Sequence, residues 1–255
     1  MEKTSFIDFS GKRVVVTGAS SGIGRAVAVE LSRRGANLIL MGRDNNRLDE
    51  TADLLEKRDF QILQLDLKEP EKILPAIKEL SEKKGRIYGL CYSSGIVETR
   101  PLTSMKVEGL QEMLDVNLIG GLELARVVCR RDVMDEKEGS LLFISSIYAR
   151  VGMAGQIGYS ASKGAISAAA RTMAVELARR NIRVNAISPG LVKTDMTANA
   201  LSILSESQVK TMEEAYPLGT GTPEDVARAA AFLLAPQNRW ITGIDLAVDG
   251  GYTAR

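Results

Sequence analysis

The sequence predicts an α/β chain: a single doubly wound parallel sheet of about seven strands with helices on both faces. Short apolar, β-branched runs alternate with longer amphipathic stretches from residue 13 to residue 248. The runs are apolar on both faces, as strands covered by helices on two sides must be. A glycine-rich turn joins the first run to the first amphipathic stretch, the join expected of a βαβ unit. Right-handed crossovers then wind the sheet in both directions.

Taken in order, a strand is predicted at 13–17, followed by a helix at 23–34. Strand 37–41 leads to helix 45–57, strand 60–65 to helix 71–84, and strand 88–92 to one long helix over 106–130. Strand 141–145 precedes helix 160–179, and strand 183–187 is followed by the least regular piece, 191–218, which reads as a covering loop. Helix 223–234 and strand 245–248 close the pattern. No linker, repeat or low-complexity segment interrupts it, so residues 1–255 read as one domain.

Composition removes several classes of function. The 255 residues are 45% hydrophobic and carry 33 basic against 32 acidic side chains, a net charge of +1. That balance offers nothing to attract nucleic acid or an anionic membrane. No apolar run reaches membrane-spanning length, and the opening Met1-Glu2-Lys3-Thr4-Ser5 lacks a signal-peptide pattern, so the cytoplasm is the expected compartment. Cys91 and Cys129 lie in apolar runs without metal or redox spacing and read as buried thiols. The chain contains no histidine, which excludes a histidine-based triad and a histidine-ligated zinc.

Two stretches carry chemistry. The first strand runs into Thr17-Gly18-Ala19-Ser20-Ser21-Gly22-Ile23-Gly24, where glycines let bare backbone N–H groups and a helix N-terminus approach a pyrophosphate. The spacing differs from the common Gly-x-Gly-x-x-Gly. In Tyr159-Ser160-Ala161-Ser162-Lys163, the phenol and ammonium share one helix face. A free tyrosine titrates near pH ~10. A neighbouring ammonium, joined by the positive ring of an oxidised nicotinamide, favours the phenolate and makes the phenol an acid/base at neutral pH. Ser145 and Ser146 both stand at the mouth of the fifth strand, where a hydroxyl can donate to an oxygen that gains negative charge.

In this order the motifs resemble the short-chain dehydrogenase/reductase family, whose fold is a single Rossmann domain; the resemblance runs from about Gly11 to Gly251. It implies hydride transfer between a nicotinamide cofactor and a secondary alcohol or carbonyl. The 13-residue offset to Tyr159 selects Ser146 as the serine that binds the substrate oxygen, and Asn117 matches the helix asparagine that holds a water beside Lys163. The expected catalytic set is therefore Asn117, Ser146, Tyr159 and Lys163. Cofactor positions follow the same resemblance. Gly18, Ser20, Ser21, Gly22, Ile23 and Gly24 match the pyrophosphate turn, Asp66 and Leu67 the adenine site, and Ser93 and Gly95 the turn after the fourth strand. Tyr159 and Lys163 match the ribose contacts, and Pro189, Gly190, Val192 and Thr194 the nicotinamide site. Tyr92-Ser93-Ser94-Gly95 stands where the family carries Asn-Asn-Ala-Gly, so the asparagine bonds that brace the central sheet must be replaced, in part by the serines.

Dinucleotide choice is read at Gly42-Arg43-Asp44. Glycine replaces the acid that selects NAD, and Arg43 can meet a 2′-phosphate, which favours NADP. NAD remains the alternative, since Ser21 stands where many NADP enzymes of the family carry a second basic residue. The resemblance implies a homotetramer or homodimer, and Ala161, Ala165, Ala168, Ala169 and Ala174 give one helix a small-residue surface for close approach. Two substrate classes stay open: a sugar, polyol or small ketone, and a 3-oxoacyl thioester on an acidic carrier protein. Arg179 and Arg180 suit the carrier, whereas Asp132, Asp135, Glu136 and Glu138 would repel it. A non-catalytic dinucleotide-binding regulator is the alternative from another class.

Overall fold

The computed structural model describes residues 7–56, 59–202 and 205–254. The opening residues 1–5 and Lys57, the expected end of the second helix, lie outside them. Among the described residues seven strands form one wholly parallel sheet. They are β1 (Arg13–Thr17), β2 (Asn37–Gly42), β3 (Phe60–Gln64), β4 (Gly89–Tyr92), β5 (Gly139–Ile144), β6 (Ile182–Pro189) and β7 (Asp245–Val248). The order is β3-β2-β1-β4-β5-β6-β7, with Val14 opposite Leu38 on one side and Gly89 on the other. The winding reverses between β1 and β4, so a crevice opens beyond their carboxyl ends.

Side chains alternate across β1 and feed two cores. Val14 and Val16 join Val27 and Leu31 of α1 (Gly22–Arg33), and Val226 and Ala230 of α9 (Pro223–Leu234). Val15 faces the other way, into the core of Ile73 and Ile77 from α3 (Pro70–Lys84), Leu124 and Val128 from α5 (Gly120–Val128), and Ile166 and Ala170 from α6 (Ile157–Leu177). Burial on both faces is why the strands read as continuous apolar runs. Cys91 is buried, whereas Cys129 is only partly so.

Three elements depart from the sequence reading. α2 (Asn45–Asp53) is shorter than expected. The long helix 106–130 is broken: α4 (Val107–Leu114) passes through a π-helical turn, Asp115–Ile119, into α5. Gly120 and Gly121 make room there for the Tyr92 ring, since a Cβ on Gly121 would lie 3.0 Å from Tyr92 Cε1. The Tyr92 hydroxyl donates to the Val116 carbonyl within the turn. The expected covering loop also contains α7 (Asp195–Leu201) and α8 (Glu206–Glu214). Each opens on a capping box, Thr194 with Thr197 and Ser205 with Gln208. Their shortness left no apolar period to detect.

One buried cation ties the sheet to α9. Arg183 on β6 donates to the carbonyls of Leu233 (2.6 Å), Leu234 (3.0 Å) and Ala235 (3.0 Å) at the end of the helix, where the Tyr88 hydroxyl also serves Leu234 O and Asn238 N serves Ala235 O. We expect Arg183→Met to lower the unfolding free energy by about 2 kcal/mol, because the buried Leu233 carbonyl loses its guanidinium donor while Leu234 and Ala235 keep Tyr88 and Asn238. Urea titration checks this, with the slope unchanged; a loss under about 1 kcal/mol would mean that water replaces the guanidinium.

Candidate active site

Every strand delivers its carboxyl end to the same edge, and the candidate residues gather there. The turn after β1 is bound tightly. The Arg25 guanidinium donates to Ser20 O at 2.7 Å, and the Thr51 hydroxyl to Ala19 O at 2.8 Å. A Cβ on Gly24 would stand 2.2 Å from Gly18 O, so only glycine lets α1 start this close to the strand. Ser21, the N-cap of α1, makes no side-chain cap bond, leaving first-turn N–H groups for a ligand.

A cleft of about 630 Å³ passes over this turn, and all the cofactor positions named above line it, from Gly18 through Arg43, Asp66, Leu67, Ser93 and Gly95 to Thr194. Its glycine turn, free helix N-terminus and volume fit a dinucleotide. Arg43 is exposed and has no ion pair among the described residues. A Cβ added at Gly42 would lie 3.3 Å from Cδ2 of the buried Leu48, a tight contact to which that side chain has to yield.

The brace between β1 and β4 differs from the expectation that serine side chains supply it. The Thr17 hydroxyl accepts the backbone N–H groups of Ser93 (3.0 Å) and Ser94 (3.1 Å), so the serines contribute main chain only. Tyr92 holds the next layer through its bond to the π-turn.

Tyr159 sits in the first turn of α6 and Lys163 one turn later, with the ammonium 5.7 Å from the phenol ring centre. Lys163 Nζ donates to Ile144 O at 2.8 Å. Ser145 and Ser146 are separated by their bonds. Ser145 Oγ donates to Lys163 O (2.9 Å) and accepts from Ser167 (2.7 Å), which commits it to packing. Ser146 lines the cleft with Tyr159. Asn117, wholly buried in the π-turn, accepts from Ile96 N (2.8 Å) and donates to Ile96 O and Ser162 Oγ (2.9 Å each). Its side chain thereby pins the loop after β4 to α6. Gly95 lies between the two polar groups: a Cβ there would be 3.2 Å from Lys163 Nζ and 3.3 Å from Asn117 Oδ1.

Electrostatically the pair is set by burial. Desolvation pulls the Lys163 ammonium down to about 8. It raises the Tyr159 phenol above its ordinary value, with the Ser146 hydroxyl pulling weakly the other way. The chain's own groups therefore do not favour the phenolate, which the sequence reading expects from the ammonium and an oxidised nicotinamide ring together. The chain by itself holds Tyr159 as a neutral phenol, a proton donor.

A second cleft of about 610 Å³ adjoins the first, lined by Val97, Ile147, Tyr148, Met153, Leu191 and Met212 among others, with no charged side chain among the described residues that line it. Residues 132–138 and Arg179–Arg180 precede β5 and β6, so they lie at the opposite end of the parallel sheet from these clefts. Neither group bears on docking at this mouth. Sequence reasoning missed Arg25, Arg47, Ser162 and Asp195. Each is an ordinary helical residue whose role depends on a partner at least 26 residues away, as Arg25 is from Thr51.

Comparison with known proteins places this geometry. A family described as Enoyl-(Acyl carrier protein) reductase matches residues 18–253. The chain is 35% identical over 246 residues to a 3-oxoacyl-[acyl-carrier-protein] reductase of Rickettsia felis, covering 96% of this chain and 98% of that one. A structure assigned as a short-chain alcohol dehydrogenase of Sinorhizobium meliloti superposes with a TM-score of 0.92 at 32% identity, over 98% of this chain and 99% of the other. One assigned as an NAD(P)-dependent gluconate 5-dehydrogenase of Beutenbergia cavernae, with bound NADP at low occupancy, gives 0.89 at 31% identity, over 97% and 99%.

The buried ammonium has a cost that can be measured. Its folded value lies below the unfolded 10.5, so the charged form opposes folding fully below about pH 8, and the penalty fades between pH 8 and 10.5. The penalty is about 3 kcal/mol, reduced to about 2 in Lys163→Met by the orphaned Ile144 carbonyl. The variant should therefore be the more stable form near pH 7 and lose that advantage near pH 10. Equal denaturation midpoints at both pH values would count against the burial argument.

Proposed function

The chain belongs to the short-chain dehydrogenase/reductase family, nicotinamide-dependent oxidoreductases acting on CH–OH groups, and we propose that it works as one domain that reduces uncharged, largely apolar ketones or aldehydes with NADPH. The observation that carries this reading is that Ser146 and Tyr159 line both clefts, so the proton donor stands where the dinucleotide groove meets the apolar one. A purely regulatory binder would leave that convergence unexplained.

Bound NADPH supplies the hydride. The chain's own groups do the rest. The turn Gly18–Gly24 and the N-terminus of α1 hold the pyrophosphate. Arg43, beside Gly42, pairs with the 2′-phosphate, and NADP is seen in the Beutenbergia cavernae neighbour. Asp66 and Leu67 hold the adenine, Lys163 the nicotinamide ribose, and Val192 and Thr194 the carboxamide. Ser146 donates to the carbonyl oxygen as negative charge builds on it. Tyr159 then gives its proton to that oxygen, and its neutral ground state suits this direction. Lys163 returns the proton through water, and Asn117 holds the loop after β4 in place beside it through its bonds to Ile96. In alcohol oxidation the same groups run in reverse, with the positive nicotinamide ring adding the charge that Lys163 alone does not supply.

The second cleft favours a neutral substrate. A sugar acid would bring a carboxylate against a lining without a cation. A 3-oxoacyl thioester is the more specific reading: the apolar lining suits an acyl chain, and relatives such as the Rickettsia felis protein are named for that reaction. The acidic residues 132–138, at the far end of the sheet, no longer oppose it. We place the enzyme in the cytoplasm as a homotetramer or homodimer. Among the described residues no helix is long and apolar enough to cross a membrane.

Tyr159→Phe should abolish turnover on a carbonyl panel while the NADPH dissociation constant stays near wild type; activity within about tenfold would remove Tyr159 from the proton path. Arg43→Ala should weaken NADPH binding by about 10- to 150-fold and leave NADH almost unchanged. Gly42→Asp should shift preference the same way, since only Leu48 must move to admit it. Fluorescence titration with both cofactors at two salt concentrations reads these effects, and a wild-type preference for NADH would refute the NADP assignment.

A further inference from the structure

Two rims of the dinucleotide cleft are joined by one ion pair. Arg47, in the first turn of α2, places Nη2 2.6 Å from Oδ2 of Asp195, the first residue of α7. The partners are 148 residues apart, and both line the cleft. Both side chains are well exposed, at 42% and 71%, so the pair contributes little to folding and exchanges readily. Arg47 belongs to the same rim as Gly42 and Arg43. Its amide is capped by Asp44 Oδ1 at 3.2 Å, which fixes the turn from which its side chain leaves.

The opposite rim covers the cleft junction. Thr194, the residue before α7, brings its Cγ2 within 3.2 Å of where a Cβ on Gly22 would lie, and Met196 and Thr197 line both clefts. A ligand that takes Arg47 from Asp195 therefore frees the first turn of the helix that roofs the junction.

We propose that Arg47 is a second specificity residue for the cofactor's 2′-phosphate, with Asp195 as its competitor, so that phosphate binding exchanges the Arg47–Asp195 pair for an Arg47–phosphate pair and releases α7 from the opposite rim. A guanidinium binds a phosphate through two parallel bonds as well as it binds a carboxylate, and the phosphate carries more charge. With Arg43 unpaired and Arg47 held by one exchangeable carboxylate, the rim presents two cations to a group entering beside Gly42. NADH has no such group and leaves the Arg47–Asp195 pair intact. This rests on the NADP reading above, with which it shares a site.

The test uses calorimetry with adenosine 2′,5′-bisphosphate and adenosine 5′-monophosphate, which need no turnover, beside titrations with NADPH and NADH. Arg47→Ala should weaken the bisphosphate and NADPH by about 5- to 30-fold and leave the monophosphate and NADH within about twofold. Asp195→Asn removes the competitor's charge and should tighten NADPH by about threefold without changing NADH, a gain that misfolding cannot imitate. In the Arg47→Ala background Asp195→Asn should then have no effect. If Arg43→Ala loses the bisphosphate but Arg47→Ala does not, the proposal fails while the NADP reading stands. If wild type binds both nucleotides equally, both fail. If Asp195→Asn changes NADPH and NADH alike, Asp195 acts on the placement of α7 alone and the competition is refuted.

Discussion

The strands of this sheet all run the same way, and the placement of the site follows from that. A parallel strand can follow another only through a crossover, so each helix returns the chain to the amino edge and each strand spends its carboxyl end at the opposite edge. Thr17, Gly42, Tyr92, Ile144 and Pro189 end their strands at that edge. The glycine turn, Arg43, Gly95, Ser146 and Gly190 therefore share one rim although they span most of the chain. Where the winding reverses, between β1 and β4, the crossovers part and leave a groove, which α7 borders.

Burial then decides the chemistry at the groove. Lys163 is 4% exposed and bonds the Ile144 carbonyl, and no carboxylate among the described residues pairs with it. Such a cation is held against its solvation preference by the packing of α6 on β5 and β6. Tyr159, one turn earlier, is partly exposed where the two clefts meet, and desolvation holds it as a neutral phenol. A site of this kind is tuned by desolvation and then re-tuned by whatever charge a ligand brings.

The turn after β4 shows how a departure from a family pattern is absorbed. Two asparagines are replaced by Tyr92 and Ser93, and the polar bonds reappear on other atoms. Thr17 collects two backbone amides, and the Tyr92 phenol reaches the Val116 carbonyl. The tyrosine is larger than an asparagine, and Gly120 and Gly121 supply the space. The π-turn that carries Asn117 is thus packed against the residue that departs from the pattern. The three positions act as one unit.

The sequence alone determined the number and order of the strands, their parallel direction, the glycine turn and the Tyr159–Lys163 pair. These depend on periodicity and on spacing within one element, which the chain expresses locally. The short helices α7 and α8, with two capping boxes but little apolar period, were not legible by that measure. Neither was the π-turn, since Asp115–Ile119 has ordinary helical composition. The role of Ser145 as a packing hydroxyl, the full commitment of the Asn117 side chain, the raised Tyr159 and the Arg47–Asp195 bridge were decided only by the tertiary structure. Each depends on a group from another element, and desolvation depends on everything packed around the group at once.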